Sequence, residues 1–381
     1  MHVCILSHEY LPQARLGGIG TYVKQLENAL NQMGHKVTVV TFSTKYQANN
    51  YIDVRVITRG HIPKFWWIFD SLLATLSVLK INKKAPIHVI ETSEWNATGL
   101  FYCFLRRIFR SLPPIVVRLH TPLVISKQFN LEGLGVFDCF RDRAEYVTVR
   151  LADAVTVPSF ALSQKVRSVW CLSREPLIIP NFVDVNVYSP DSCKYTKNRD
   201  CLNVLFLGNI ARIKGVETLF DAIYSFRSNP AIQCHIAGRL PKDMALSDAF
   251  TQFLKSTPNA RYLGFLDMEQ KLEALCWANV LVMPSLWENC PMSCLEAMSM
   301  GKIIIASQTG GLRELIVDGK NGILMPAGSS SSLINAIERC DCMTVNERRT
   351  FEANARKSVL LFYSKQAIVP KMLQTYRNLK R

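Results

Sequence analysis

Two glutamates stand eight positions apart in Pro284-Ser-Leu-Trp-Glu288-Asn289-Cys290-Pro291-Met292-Ser-Cys-Leu-Glu296-Ala-Met-Ser-Met-Gly301, a stretch with no other charge. Met292, Leu295, Ala297 and Met298 surround Glu296, and a carboxylate among such neighbours is costly unless it meets a partner. The pair therefore marks a site rather than scaffold. The apolar run Val280–Met283 leads in as a strand, Pro291 suits the first turn of a helix, and Gly301 suits its end. Glu288 then falls in the loop before the helix and Glu296 inside it, roughly 10 Å or more apart. That is wide for the acid pair of a retaining glycosidase and suits contacts to two parts of one extended ligand. The plainer readings are a helix-dipole acid at Glu288 and a buried salt bridge at Glu296.

Two further segments favour anions. Gly208-Asn-Ile-Ala-Arg212-Ile-Lys214-Gly215 follows an apolar strand and opens a helix, so two cations and a glycine face whatever binds at that helix start. It lacks the Lys-Ser/Thr pair of a P-loop, which disfavours ATP hydrolysis. Gly17-Gly18-Ile19-Gly20-Thr21 follows the first strand, and glycines there let backbone N–H groups approach a ligand. It is not the dinucleotide fingerprint, because Val23 stands where the third glycine would be. A tight turn and solvated charges are the competing readings.

The elements that must carry these loops alternate along the chain. Val3–Ser7, Val37–Thr41, Ile87–Ile90, Ile115–Leu119, Ala154–Val157 and Leu177–Ile179 read as strands. A second series runs through Asn203–Leu207, Gln233–Ala237, Ala260–Leu263, Val280–Met283, Ile303–Ala306 and Ile323–Met325. Helical patterns lie between, among them Ile19–Met33, Val216–Phe226, Glu269–Trp277 and Ser332–Arg339. Continuous apolar strands alternating with helices predict parallel sheets covered on both faces. Two series predict two doubly wound α/β domains of Rossmann type, residues 1–185 and 186–360, with a basic C-terminal helix over 361–381. The 381 residues are too many for one ordinary core. In such sheets ligands bind outside the carboxyl ends of the strands, where all three segments fall.

Net charge is +15 from 45 basic and 30 acidic side chains. Residues 1–180 hold 21 Lys/Arg and 12 Asp/Glu, residues 181–360 hold 19 and 18, and residues 361–381 hold five bases and no acid. The asymmetry points to an anionic partner for the N-terminal half. The twelve cysteines are scattered without a CxxC pair, which predicts a reduced cytoplasmic setting with cysteines as small hydrophobes. No uninterrupted apolar run is long enough to span a bilayer. Neither Asp-x-Asp nor HExxH occurs, and no other metal or cofactor motif is read in the chain.

The glutamate segment together with Gln308-Thr-Gly310-Gly311-Leu-Arg-Glu314 resembles the signature of family 4 retaining glycosyltransferases: Glu, seven residues, Glu, then a Gly-Gly-x-x-Glu turn. The resemblance extends through the Gly17–Gly20 loop, Arg118-Leu-His120-Thr-Pro, Pro158-Ser, Ile179-Pro-Asn181-Phe-Val-Asp184 and Gly208–Gly215. Phe182 departs from the glycine usual in that turn, and Asn289-Cys290-Pro291-Met292 replaces the more frequent Gly-Phe-Gly. The resemblance implies the GT-B architecture, two Rossmann-like domains facing a central cleft. It implies a metal-independent transfer from a nucleotide-sugar such as UDP- or GDP-sugar, with retention, as in bacterial polysaccharide and lipid-linked sugar synthesis. Arg212 and Lys214 would hold the diphosphate, Glu288 the sugar hydroxyls and Glu296 the ribose. Gly17 and Gly18 would meet the phosphate, the 289–292 segment the donor, and His120 the donor sugar. The final helix would cross back to the N-terminal domain.

The acceptor is expected on the basic N-terminal side, as a lipid-linked or glycan molecule. Lys64, Trp66 and Trp67, with Arg106, Arg107 and Arg110, combine aromatics and cations as a peripheral contact with an anionic membrane surface requires. The other reading places Trp66, Trp67 and Phe69 in the core. Alternatives for the whole chain are a nucleotide-sugar epimerase of the same architecture and a basic nucleic-acid-binding protein. Nucleic acid is disfavoured because the strongest motif lies in the electrically neutral half.

Overall fold

The computed structural model describes residues 1–10, 17–43, 54–58, 66–193, 201–241 and 243–379. The contacts divide the chain into two compact units: Met1–Gln128 with Glu132–Pro180 and Ile368–Arg381, and Phe129–Leu131 with Asn181–Ala367.

The first unit is built on β1 (His2–Leu6), β2 (Lys36–Ser43), β3 (Val54–Thr58), β4 (Val89–Ser93), β5 (Ile115–Arg118), β6 (Ala154–Val157) and β7 (Leu177–Ile178). All pair in parallel, in the order β3-β2-β1-β4-β5-β6-β7. Its helices are α1 (Gly18–Gln32), α2 (Trp66–Lys84), α3 (Leu100–Ile108), α4 (Leu123–Phe129), α5 (Val136–Leu151) and α6 (Phe160–Trp170). Strand β3 was not anticipated. Its five residues lie at the sheet edge, and Arg55 interrupts the apolar run in sequence.

The second unit contains β8 (Leu202–Leu207), β9 (Ile232–Ala237), β10 (Ala260–Gly264), β11 (Val280–Met283), β12 (Ile303–Ser307) and β13 (Ile323–Met325), parallel in the order β10-β9-β8-β11-β12-β13. Around it lie α7 (Val216–Ser225), α8 (Met244–Ser256), α9 (Met268–Trp277), α10 (Met292–Ser299), α11 (Leu312–Leu315), α12 (Ser330–Asp341) and α13 (Val345–Phe362). Side chains alternate across this sheet. Val204, Phe206, Val280, Val282, Ile303 and Ile305 enter one core, while Leu205, Leu281, Met283, Ile304 and Ala306 enter another. Both faces being covered explains why these strands read as unbroken apolar runs.

Several helix starts follow local rules: Ser159, Asp243, Asp267, Ser329 and Thr344 each cap a helix through the side chain. The last helix, α14 (Lys365–Asn378), buries Ile368, Val369, Met372, Leu373 and Tyr376. Its residues from Ile368 onward group with the first unit.

One expectation needs correcting. Cys193 and Cys276 form a disulfide across a sequence separation of 83. Neither lies in a recognisable motif, so the pairing arises only when α9 meets the segment after Asn181. Cys4, Cys103, Cys234, Cys290, Cys294 and Cys340 do behave as buried apolar groups. Among the described residues no helix is long and apolar enough to cross a membrane.

Candidate active site

In each sheet the strand order reverses beside the first strand of the unit, between β1 and β4 and between β8 and β11. Such a reversal leaves a crevice at the carboxyl ends of the two strands. The charged loops gather at those ends.

In the second unit glycines bring the loops together. Gly238, at the end of β9, has φ +158, and a Cβ there would lie 1.7 Å from the Gly208 carbonyl oxygen. Arg212–Lys214 forms a short 3-10 turn closed by Gly215 at φ +66, where a Cβ would lie 1.9 Å from the Pro284 carbonyl oxygen. Only glycine adopts that backbone at that distance. Leu286 N–H then donates to the Ile213 carbonyl at 2.8 Å, joining the loop after β8 to the loop after β11. The Gly310-Gly311 turn supports the same place: Gly311 N–H donates to the Glu288 carbonyl at 2.8 Å, and Thr309 Oγ1 to that of Leu286 at 2.9 Å. Asn181 Nδ2 holds the Cys290 carbonyl at 2.7 Å.

This frame sets the Glu288 carboxylate against Lys214 Nζ at 2.5 Å, with Ser285 Oγ donating at 3.2 Å. Arg212 reaches Glu217 and, at 3.4 Å, Asp243. Glu296 lies inside α10, buried, and pairs with Lys271 Nζ at 2.6 Å. The Lys271 ammonium also sits over the Tyr188 ring at 5.4 Å. Burial, and then the Glu296 charge, push the Tyr188 phenol well above its ordinary range. Trp287 Nε1 donates to Asn289 Oδ1 at 2.9 Å. Cys290 and Met292 are buried, and Pro291 is the residue preceding α10.

The first unit has its own cluster. Gly17 precedes α1, and a Cβ there would come within 2.6 Å of Glu9 Oε2, whereas Gly18 has nothing within 4 Å. His120 follows β5, and its N–H donates to both Glu94 oxygens at 2.8 and 3.0 Å. Glu145 accepts from Asn96 N–H at 3.1 Å and Leu123 N–H at 3.0 Å. The two buried carboxylates thus hold the turns after β4 and β5, including Asn96 and Ala97 at positive φ. Burial raises Glu94 to about 7 against the pull of its backbone donors. Burial, with the Glu94 charge beside it, also raises Glu145 well above the usual carboxylate range. Burial, with Arg118 nearby, lowers His120 to about 3 and keeps the imidazole neutral. Tyr22 stands edge-on to His120, lies under the Arg118 guanidinium, and donates to Glu91 at 2.7 Å. A small cavity opens here, lined by Ser7, Tyr22, Glu91, Ser93, Arg118 and His120 among others.

Glu94, Glu145, Lys271 and Tyr188 were missed from sequence. Ile90-Glu-Thr-Ser-Glu94 carried a usable signal, two acids closing a buried strand; Lys271 and Tyr188 carried none. The residues grouped by sequence as membrane-facing have different surroundings. Trp67 is in the core with Ala97 and Ala144, and Trp66 is half-buried against them. Arg106 Nε donates to Asp153 at 3.2 Å, Arg110 lies 3.7 Å from the same carboxylate, and Arg107 Nε donates to the Leu151 carbonyl. Lys64 lies outside the described residues. Among the described residues no group of three or more His, Cys, Asp or Glu side chains forms a metal site.

Residues 16–187 match the family described as Glycosyltransferase Family 4, and residues 201–340 match Glycosyl transferases group 1. An uncharacterized glycosyltransferase of Methanocaldococcus jannaschii is 25% identical over 99% of this chain and 98% of its own. The gpi3 component of the phosphatidylinositol N-acetylglucosaminyltransferase of Schizosaccharomyces pombe is 24% identical over 82% of this chain and 67% of its own. Among solved structures, sucrose-phosphate synthase from Thermosynechococcus elongatus superposes with TM-score 0.83 at 24% identity, covering 99% of this chain and 98% of its own. An Anabaena protein in complex with UDP-glucose gives TM-score 0.73 at 18% identity, covering 99% and 100%.

Proposed function

Given that this chain is a glycosyltransferase of GT-B architecture, we propose that it moves a sugar from a nucleotide-sugar to a lipid-linked or glycan acceptor, with retention and without a metal ion. The observation that carries the reading is the Lys214–Glu288 pair, set by the close approach of Gly238 to Gly208, Gly215 to Pro284 and Gly310 to the Glu288 carbonyl at the strand-order reversal of the second unit. A cation and a carboxylate fixed side by side match a ligand with a phosphate next to a hydroxyl-rich ring. One solved relative is a complex with UDP-glucose, and one sequence relative belongs to a phosphatidylinositol N-acetylglucosaminyltransferase. Both fit a nucleotide-sugar donor, and the second fits a lipid acceptor.

In this reading Lys214 and Arg212 bind the diphosphate and stabilise the charge it gains as the bond to the anomeric carbon breaks. Glu288 orients the sugar through its hydroxyls. Glu296, held in place by Lys271, accepts from the ribose hydroxyls. The Gly18 N–H is kept as a donor to phosphate, and His120 as a neutral contact to sugar that adds no positive charge. The acceptor oxygen attacks the anomeric carbon on the face the diphosphate leaves, and a departing phosphate oxygen takes the acceptor proton. No protein nucleophile is then needed.

The test is a panel of UDP-, GDP- and ADP-sugars scored for nucleotide release with and without a lipid-extract acceptor. Acceptor-dependent release with one donor is expected. Lys214→Ala should lower kcat by about 100- to 1,000-fold, as loss of a charge-stabilising group does. Undiminished release in Lys214→Ala or Glu288→Ala would remove these roles. Loss of activity on chelation would contradict the metal-independent transfer.

A further inference from the structure

In the first unit α2 turns an apolar face outward. Phe69, Leu72 and Leu76 are exposed, spaced three and four apart on one side of the helix, and Lys80 and Lys83 continue the same stripe. The opposite side of α2 is buried through Trp67, Asp70, Ser71, Ala74 and Val78. Helix α3 packs beside α2, with Phe101 N–H donating to Ser71 Oγ at 3.2 Å. It buries Tyr102 and Cys103 and exposes Phe104, Ile108 and the following Phe109, Ile108 to 72%. Two neighbouring helices thus present six large apolar side chains to solvent. Soluble proteins rarely leave such a group uncovered.

The charges around it are of one sign. Lys80, Lys83, Lys84, Arg107 and Arg110 are exposed, α3 contains no acid, and the single acid of α2, Asp70, is buried. Asp153, which Arg106 and Arg110 approach, is itself only 13% exposed. A second copy of this surface would bring five cations against five. An acidic lipid headgroup layer complements them while its acyl boundary takes the apolar side chains.

We propose that the outer faces of α2 and α3 are a docking surface for an anionic lipid bilayer, with Phe69, Leu72, Leu76, Phe104, Ile108 and Phe109 entering the interface. This keeps Arg107 and Arg110 from the surface suggested by sequence and leaves out Trp67, which is core, and Arg106, which is paired with Asp153. It deepens the lipid-linked acceptor reading above. Its test reads vesicle binding rather than transfer, so either can fail alone.

Flotation is measured with vesicles of phosphatidylcholine and with vesicles of phosphatidylcholine mixed with phosphatidylglycerol. The protein should float with the mixed vesicles, lose binding as salt rises, and stay behind with phosphatidylcholine alone. The double variant Leu76→Glu/Ile108→Glu should lose at least about tenfold in vesicle affinity, each carboxylate opposing an anionic surface. Both positions are exposed, and an unchanged melting temperature checks that the fold is intact. Phe140→Glu is the control, because exposed Phe140 lies on α5, outside α2 and α3; its binding should match the parent protein. Undiminished flotation of the double variant, equal binding to neutral vesicles, or equal loss in Phe140→Glu would overturn the proposal. So would a concentration-dependent dimer that the double variant abolishes.

Discussion

Glu94 and His120 meet through a backbone hydrogen bond, yet their pH effects run in opposite directions. Glu94 has its pKa raised from 4.5 to about 7, so the folded state holds a proton that the unfolded state has already released. Its contribution is complete below 4.5 and is lost as pH rises through the window to about 7, amounting to about 3 kcal/mol by 1.36 kcal/mol per unit. His120 has its pKa lowered from 6.5 to about 3, so the unfolded state takes the proton first and stability is lost as pH falls through that window. Between 4.5 and 6.5 the two trends oppose one another. Melting temperatures across this range should separate them. The gap between Glu94→Gln and the parent should shift in favour of the variant as pH rises. The gap for His120→Asn should shift in favour of the variant as pH falls. Gaps that stay level with pH would refute the assignment.

At the scale of elements, the site depends on loops that approach one another through glycine. Gly215 closes the Arg212–Lys214 turn with a left-handed backbone against Pro284, while Gly18 begins α1 facing open space. Their alanine variants should therefore differ in kind. Gly215→Ala costs about 1–2 kcal/mol for the backbone alone, and the clash with Pro284 must displace the loop that carries Glu288. It should lower the melting temperature and activity together. Gly18→Ala should melt close to the parent, because a Cβ there meets nothing within 4 Å. A loss of donor affinity in Gly18→Ala would then report the ligand rather than the fold. Equal melting of Gly215→Ala and the parent protein would contradict the close approach of Gly215 to Pro284.

For the molecule as a whole, the Cys193–Cys276 bond ties the segment after Asn181 to the end of α9. Closing a loop of 83 residues restricts the unfolded chain by about 4.5 kcal/mol. The same helix carries Lys271, and the same segment carries Tyr188, the two neighbours of Glu296. Reductant should therefore lower the melting temperature, and Cys276→Ser should reproduce the effect and be insensitive to reductant. Two thiols that alkylate under native, non-reducing conditions would show that the bond is not formed.

Local pattern determined a large part of this protein. Unbroken apolar strands alternating with helices imply parallel sheets, because strands covered on both faces need no polar side. Gly215, Gly310 and Gly301 stood where the backbone turns left-handed, and Glu288, Arg212 and Lys214 stood just beyond strand ends. What tertiary structure decided is which distant groups meet. Lys271 pairs with Glu296 from 25 residues away, and Cys276 finds Cys193 across 83. No spacing rule records either pair. Likewise Trp-Trp-Ile-Phe at the start of α2 is apolar on every side, so periodicity could not tell the buried Trp67 from the exposed Phe69. The sheet that α2 covers makes that choice, and with it the face the molecule leaves outward.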